Sequence, residues 1–461
     1  MVMGDFVREV DVAVVGGGPG GYTAAFRCAE LGLETVVVDA GKRLGGVCLY
    51  EGCIPSKALL HVAAVIDEAE RAGEMGIEFG APSIALDPLR KWMAERVVGK
   101  LARGLASVAK SKGVEVVGGN AVFESARELR VEGDEPQKIR FRHAIVATGS
   151  APLLPSELAA SGEHVMDSSG ALELAEIPER LLVVGGGYIG LELGQVYAAL
   201  GSRVTVVEMT GGLLPGVDRD LVQPLLRRCE KHFAAIHLNT RVTGVRQAGS
   251  AVEATLEGPG IHAFDRVLVA VGRRARSHGL GLETTGVRVD QRGVIAVDAR
   301  CQTADARIFG VGDVTGDPML AHRAMRQGTV AAEAIAGRPA AFDNVAVPAV
   351  VFTDPEIAWC GLSEGEAQRA GRPVKVGRFA WAASGRAATL GRSDGLTKLV
   401  VDPDSGRVLG VGIVGPGAGE LIAEAGLALE MAATVEDIAA TIHTHPTLSE
   451  TLMEAATTLL R

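Results

Sequence analysis

Two cysteines separated by four residues, Cys48 and Cys53, are the side chains of this sequence with the clearest chemical use. A thiol pair that close can cycle between dithiol and disulfide, one sulfur exchanging with a substrate while the other passes electrons on. A metal site would need two further soft ligands nearby, and Cys28, Cys229, Cys301 and Cys360 each stand without CxxC or HxxxH company. A structural disulfide across so short a loop would remove little chain entropy and would be at odds with a reducing cytosol. The redox use is favoured over both.

Thiol chemistry near neutral pH needs a base with a pKa of about 6.5 or somewhat above. His445, in the segment His443-Thr444-His445-Pro446-Thr447-Leu448-Ser449-Glu450, is the candidate, with Glu450 placed to fix its tautomer and support the imidazolium. His443 reads as an ordinary surface histidine.

Glycines supply the next signal. With 60 of them in 461 residues, GxGxxG spacing arises by chance about once in such a chain. Matches start at Gly16, Gly185 and Gly410, and the discriminating context is a strand before, a helix after and an acid closing the next strand. Gly16, Gly18 and Gly21 follow Val12–Val15 and lead to Asp39; Gly185, Gly187 and Gly190 follow Leu181–Val184 and lead to Glu208. In such a unit the first glycine makes the turn, the second admits a pyrophosphate, the third lets helix meet strand, and the acid accepts from ribose hydroxyls. Glu208 would repel the extra phosphate of NADP, so NAD is expected there. The Gly410 match lacks the second strand and acid and reads as coincidence. Ala147-Thr148-Gly149 and Ala270-Val271-Gly272 end strands in small residues where a backbone must approach a cofactor. The Gly312-Asp313 turn offers a carboxylate to the hydroxyls of a flavin's ribityl chain.

These residues need a scaffold, and hydrophobic pattern gives one. Val10–Val15, a small-residue helix over 21–32 and Thr35–Asp39 form a βαβ opening; Leu181–Val184, 190–201 and Val204–Glu208 repeat it. Cys48 begins nine residues after Asp39, so the pair sits near the first cofactor. A helix is expected over 90–112, with Val97, Val98, Leu101, Leu105 and Val108 at helical spacing, and strands at Ala144–Gly149, Val267–Gly272, Val294–Val297 and Ile308–Asp313. From about Asp343 the texture becomes α+β, with strands at Val347–Phe352, Thr397–Val401 and Val408–Val414 and a helix over 420–431. The expected class is α/β: two Rossmann-like dinucleotide-binding domains, the second inserted in the first, plus a carboxyl-terminal α+β domain. The boundaries fall at 1–152, 153–275, 276–341 and 342–461.

The net charge of −10 argues against nucleic acid or an anionic membrane as partner. Met1–Val10 carries acids and lacks a long apolar core, so neither a secretory signal nor an anchor is expected, and no run of about 18 uninterrupted apolar residues suggests a span. A cytoplasmic protein is expected.

Taken together, the sequence resembles the pyridine nucleotide-disulfide oxidoreductase family, and within it the members that reoxidise dihydrolipoamide, over essentially the whole chain. The carriers are Gly45-Gly46-Val47-Cys48 through Gly52-Cys53-Ile54-Pro55-Ser56-Lys57, Gly185-Gly186-Gly187-Tyr188-Ile189-Gly190-Leu191-Glu192, Gly312-Asp313, Met319-Leu320-Ala321-His322 and His445-Pro446-Thr447-Leu448-Ser449-Glu450. The resemblance implies FAD in the first domain, with Gly46, Lys57, Met319, Leu320, Ala321 and His322 among its contacts, and NAD in the inserted one. It implies a homodimer joined by the carboxyl-terminal domain, in which His445 and Glu450 serve the partner's disulfide. Cys53 would face the flavin, Cys48 exchange with substrate, and Lys57 pair with Glu192. The expected partner is the lipoyl-bearing acyltransferase core of a 2-oxoacid dehydrogenase complex.

Several residues depart from the family's usual pattern: Tyr50-Glu51 inside the cysteine loop, Asp39 for the more usual Glu, Ala275 for Pro, and Asp354 for a frequent His. Glutathione and trypanothione reductases are the nearest rivals but carry basic residues near the position of Glu208. Mercuric and large thioredoxin reductases need a carboxyl-terminal redox pair, whereas the last cysteine here is Cys360. A mainly assembling, non-catalytic subunit is the rival of a different class.

Overall fold

The computed structural model describes residues 7–159, 162–249 and 251–461. Of the segment Met1–Val10, the first six residues lie outside the described residues. Two compact units divide the chain. One takes the chain as far as Ala58, Ala85–Leu153 and Gly272–Asp343; the other takes Leu59–Ile84, Leu154–Val271 and Asn344–Arg461.

In the first unit, Val12, Ala13 and Val14 show no polar side to water, and β1 (Val7–Val15) accordingly lies mid-sheet, those three residues fully buried. It pairs in parallel with β2 (Thr35–Asp39). With β3 (Glu115–Gly118), β4 (Asn120–Ser125), β5 (Glu128–Glu132) and β6 (Gln137–Val146) the order is β3-β2-β1-β6-β5-β4, and Ile308–Gly310 also pairs with β6. β5 runs antiparallel to both β4 and β6. Strand order reverses at β1, so its carboxyl end faces the crevice where ligands of open α/β sheets bind. Helix α1 (Pro19–Glu30) packs through small residues against the helix Ala321–Ile335; a Cβ on Gly328 would stand 2.5 Å from the carbonyl oxygen of Gly20.

The second unit repeats the plan. β7 (Arg180–Val184) lies between β8 (Arg203–Val207) and Arg266–Val269, all parallel, with Ala235–His237 and Val165–Met166 at the edges. The same unit holds an antiparallel five-stranded sheet of Ala349–Val351, Ile357–Gly361, Val408–Val414, Leu396–Val401 and Lys375–Ala380. Its core includes Trp381, Leu399, Ile413 and Leu452.

Three expectations change. Val294–Val297 forms no strand: Ile295 makes one isolated bridge to Val289 and donates to the Val314 carbonyl instead. The helix expected over 90–112 contains a π-helical stretch, Met93–Val98, between Leu86–Trp92 and Gly99–Ser111, and a Cβ on Gly99 would stand 2.9 Å from the Ala94 carbonyl. In the regular helix that follows, Leu105 packs on the core while Leu101 and Val108 are exposed. Finally, α2 (Gly46–Tyr50), α3 (Cys53–Arg71) and the turn Ala72–Met75 include a 30-residue helical stretch, Gly46–Met75, apolar enough by composition to cross a membrane, with a third of its most apolar window buried. Counting uninterrupted apolar runs missed it because Glu51 and Lys57 break the run without making the average polar. Core helices of water-soluble domains pass the same test.

Candidate active site

The cysteine loop is shaped by two glycines in left-handed backbone. Gly45 and Gly46 have φ of 126° and 56°; a Cβ on Gly45 would collide with Leu49, and one on Gly46 would lie 2.6 Å from the Cα of Gly18. The loop therefore sits directly on the glycine turn after β1. From there α2 carries Cys48, and Cys53 is the first residue of α3, where the helix dipole favours negative charge.

Cys48 is half-buried and Cys53 exposed, and Cys48 is hydrogen-bonded to Cys53. That bond first, then burial, pushes the Cys48 thiol up; the negative charge of Cys53 and Asp313 push it further, while the Lys57 ammonium draws it down. Tyr22, on α1, also faces the pair: its hydroxyl pKa is raised by burial and then by the two thiols. Sequence reasoning missed this residue, because the signal lay in its position one residue after Gly21 and not in its type.

The departure at Tyr50 has a physical account. Its hydroxyl donates to the Leu44 carbonyl at 3.1 Å, and the Arg43 guanidinium lies 3.7 Å from the ring centroid. Glu51 is the exposed residue ending α2. Asp354 likewise has partners, Arg228 at 3.2 Å and Arg392.

The two glycine turns are built the same way. A Cβ on Gly16 would meet the Ala147 carbonyl at 2.4 Å and one on Gly21 the Gly16 carbonyl at 1.9 Å; on Gly185 and Gly190 the distances are 2.4 Å to Ala270 and 2.2 Å to Gly185. Gly18 and Gly187 are the N-caps of α1 and of α4 (Tyr188–Ala199). Neither helix has a capping side chain or an acid in its first turn. These bare helix amino-termini suit the pyrophosphates of FAD and NAD. Asp39 accepts from the backbone N–H of Gly17 and Gly41, both at 2.9 Å; Glu208 accepts from Gly186 at 2.7 Å and Thr210 at 2.8 Å. Beside Asp39 a cavity of about 420 Å³ opens, lined by Gly41, Lys42, Gly118 and Gly119 among others.

Other expected flavin residues converge on the first unit. Thr148 donates to the Arg276 carbonyl at 2.6 Å, and Gly149 has a φ of 71°. Gly312 donates to Gln327 at 2.8 Å. Asp313 accepts from Ser150 at 2.5 Å, and the Ser150 oxygen accepts from Arg273 Nε at 2.7 Å, a relay that sequence reading did not find. Met319, Leu320, Ala321 and His322 lead into the bare amino-terminus of Ala321–Ile335. Of the residues expected to approach NAD instead, Val271 is exposed and Gly272 has a φ of 133°. Gly410 and Gly412, by contrast, lie inside the strand Val408–Val414, where a Cβ would meet the Leu362 carbonyl at 2.0 Å and Leu221 at 2.5 Å; their spacing answers to packing.

Glu192, His445 and Glu450 belong to the other unit. Buried Glu192 accepts from the Phe352 N–H at 2.9 Å. His445 Nδ1 is 2.8 Å from Glu450 Oε1, and Glu450 Oε2 accepts from the Thr447 N–H at 2.8 Å. The Thr447 bond and then His445 hold the Glu450 carboxyl below the usual carboxylate range, leaving the other nitrogen of His445, Nε2, as the proton acceptor. His443 differs from expectation: its side chain is buried and bonded at both ring nitrogens, to Glu424 and to the Thr441 carbonyl.

The comparisons with known proteins agree along the length of the chain. Residues 10–328 match the family described as pyridine nucleotide-disulphide oxidoreductase, and residues 347–456 match its dimerisation domain. The dihydrolipoyl dehydrogenase of Vibrio cholerae is 46% identical over 453 residues, covering 97% of this chain and 95% of that one. The dihydrolipoyl dehydrogenase of Thermus scotoductus is 48% identical over 459 residues, 98% of each. Among solved structures, LpdA from Mycobacterium tuberculosis superposes with a TM-score of 0.89 at 28% identity, over 98% of this chain and all of that one.

Proposed function

The chain belongs to the pyridine nucleotide-disulphide oxidoreductase family, and from that premise we propose that it reoxidises protein-bound dihydrolipoamide to lipoamide with reduction of NAD to NADH. The observation that carries this reading is the Cys48–Cys53 pair, seated on the first glycine turn with Lys57 and Asp313 acting on its charge. The names of the relatives point to the dihydrolipoyl substrate.

In the oxidised pair, His445 takes the proton of one substrate thiol through Nε2, and Glu450 supports the imidazolium that results. The substrate thiolate attacks Cys48 Sγ, forming a mixed disulfide and breaking the Cys48–Cys53 bond, so that Cys53 leaves as thiolate. The second substrate thiol, losing its proton to solvent, attacks the substrate sulfur bound to Cys48; lipoamide leaves closed, and Cys48 takes the first proton from His445, so one proton stays on the pair and one is released. Bound FAD supplies the route by which the two electrons of the dithiol reach NAD. Lys57 favours negative charge next to the pair, Asp313 and the two glycine cradles hold the cofactors, and Glu208 selects NAD over its 2′-phosphorylated form.

The assignment of 1–152 and 276–341 to FAD, 153–275 to NAD and 342–461 to dimerisation belongs to the same reading. So do a homodimer in which His445 and Glu450 act on the partner's disulfide, a cytoplasmic location, and service to the lipoyl-bearing acyltransferase core of a 2-oxoacid dehydrogenase complex. The match to a dimerisation domain supports the homodimer.

Anaerobic titration of the purified flavoprotein with dihydrolipoamide tests the reading. A long-wavelength thiolate-to-flavin absorption band, followed by NADH formation on adding NAD, is expected. A yellow protein that gives neither would sink it.

A further inference from the structure

The loop from Thr441 to Glu450 carries two histidine–carboxylate pairs, and the reaction above uses only one. The His445 side chain is 79% exposed, and its ring bond to protein is the one from Nδ1 to Glu450. The His443 side chain, two residues earlier, is 5% exposed, with Nδ1 2.9 Å from the Thr441 carbonyl oxygen and Nε2 2.9 Å from Glu424 Oε1. A backbone carbonyl and an ionised carboxylate only accept, so both ring nitrogens must carry hydrogen for both bonds to form. Both ring nitrogens are thus taken up, one by the loop's own backbone and one by Glu424.

Glu424 belongs to helix α5 (Ala418–Glu430), anchored by buried Ile422, Ala425 and Leu429. The positive charge of His443 also acts on Glu450, the first residue of α6 (Glu450–Thr457). The charged groups around the His443 ring are thus Glu424 from α5, Glu450 from α6 and His445 from the loop itself. Within one subunit Thr441, Ile442, Thr444, His445 and Pro446 are exposed, Ile442 at 96%, so the ties that this chain itself gives the segment are hydrogen bonds such as those of His443. A base must be held within about 0.5 Å of its productive place, which exposed loop residues do not achieve alone.

The geometry points to His443 as a positioning residue: a doubly bonded ring that ties the loop to Glu424 and so fixes where His445 presents Nε2. It is not itself a base, since both its nitrogens are engaged. This rests on the reading of His445 as the base.

The test uses the FAD-loaded full chain with His443→Gln, Glu424→Gln, the double variant, and His445→Gln as reference. Two activities are followed: dihydrolipoamide-dependent NAD reduction, and NADH oxidation by ferricyanide, which needs flavin and nucleotide but no dithiol base. Each single variant is expected to lower kcat of the dithiol reaction about 10-fold, with KM for NAD and the ferricyanide activity unchanged, and the double variant to be no worse than either single one. Single variants within about twofold of the parent, independent losses that multiply in the double variant, or an equal loss of ferricyanide activity in both singles would overturn the positioning role. His445→Gln should lose about 100-fold or more of the dithiol reaction. If it keeps full activity, the base assignment falls, separately from whatever the His443 variants do.

Discussion

The two βαβ units superimpose residue by residue in their contacts until the cysteine loop, and there they part. One 169-residue offset relates Gly17 to Gly186, Asp39 to Glu208 and Gly41 to Thr210, and each acid bonds the same two backbone N–H groups. The same offset relates Gly45 to Leu214, both with positive φ and donating to the carbonyls of Gly17 and Gly186, at 2.7 and 2.9 Å. One residue later the first copy has Gly46, resting on Gly18, and then Cys48; the second has Pro215, then Gly216, Val217 and Asp218, the N-cap of the plain helix Arg219–His232. The redox pair is thus an addition at the exit of an otherwise shared nucleotide cradle. The first copy has its turn covered by the dithiol loop, whereas around a Cβ on Gly187 nothing lies within 4 Å. Such a difference suits one cofactor held beside the thiols and another that comes and goes.

The largest effect that would break this comparison is loss of one cradle at a time. Gly21→Ala places a methyl 1.9 Å from a backbone carbonyl, so the turn must shift. Flavin copurifying with the protein, read from its visible absorbance, should fall about 10-fold or more. Gly190→Ala, at 2.2 Å, should leave the flavin and its reduction by dithiol intact while raising KM for NAD by about 10- to 100-fold. If both variants lose flavin equally, the division of labour between the copies is wrong. Next comes Gly46→Ala, which has no counterpart in the second copy. Its Cβ would stand 2.6 Å from Gly18 Cα in a left-handed conformation, so the pair must lift off the turn. The thiolate-to-flavin band should weaken and dithiol-driven kcat fall about 10-fold, with ferricyanide activity retained. Glu208→Gln comes third. NADP should gain on NAD by about 10-fold in kcat/KM, because the repelling charge is gone while the Gly186 bond can still form.

The cradles were legible in the sequence because their constraints are local: a strand, three glycines at fixed spacing, a helix and a terminal acid all fall within about 25 residues. The same test set aside Gly410, whose glycines serve contacts with Leu362 and Leu221. What sequence reading lost was non-local. The Arg273–Ser150–Asp313 relay joins segments more than 120 residues apart, and Tyr22 reaches the thiols only because α1 and the cysteine loop share a turn. His443 read as an ordinary surface residue since its partner Glu424 lies 19 positions away on another helix. The π-helical stretch at Met93–Val98 escaped because apolar spacing fits a regular helix equally well.

The smallest expected effect sharpens the comparison most. Asp39 and Glu208 differ by one methylene yet brace equivalent N–H pairs at 2.7–2.9 Å, so each loop has closed around its own acid. Exchanging them, Asp39→Glu and Glu208→Asp, keeps charge and acceptors and asks each loop to move by roughly one carbon–carbon bond. A cost below about 1.5 kcal/mol is expected for each, as for other near-isosteric changes, which is about 10-fold in affinity at most. Asp39→Glu should alter flavin retention alone and Glu208→Asp the dissociation constant of NAD alone, both measurable by fluorescence titration. Glu208 is buried, so its exchange should cost more than that of half-exposed Asp39. The opposite order would mean that the dithiol loop, and not the acid, sets the shape of the first cradle.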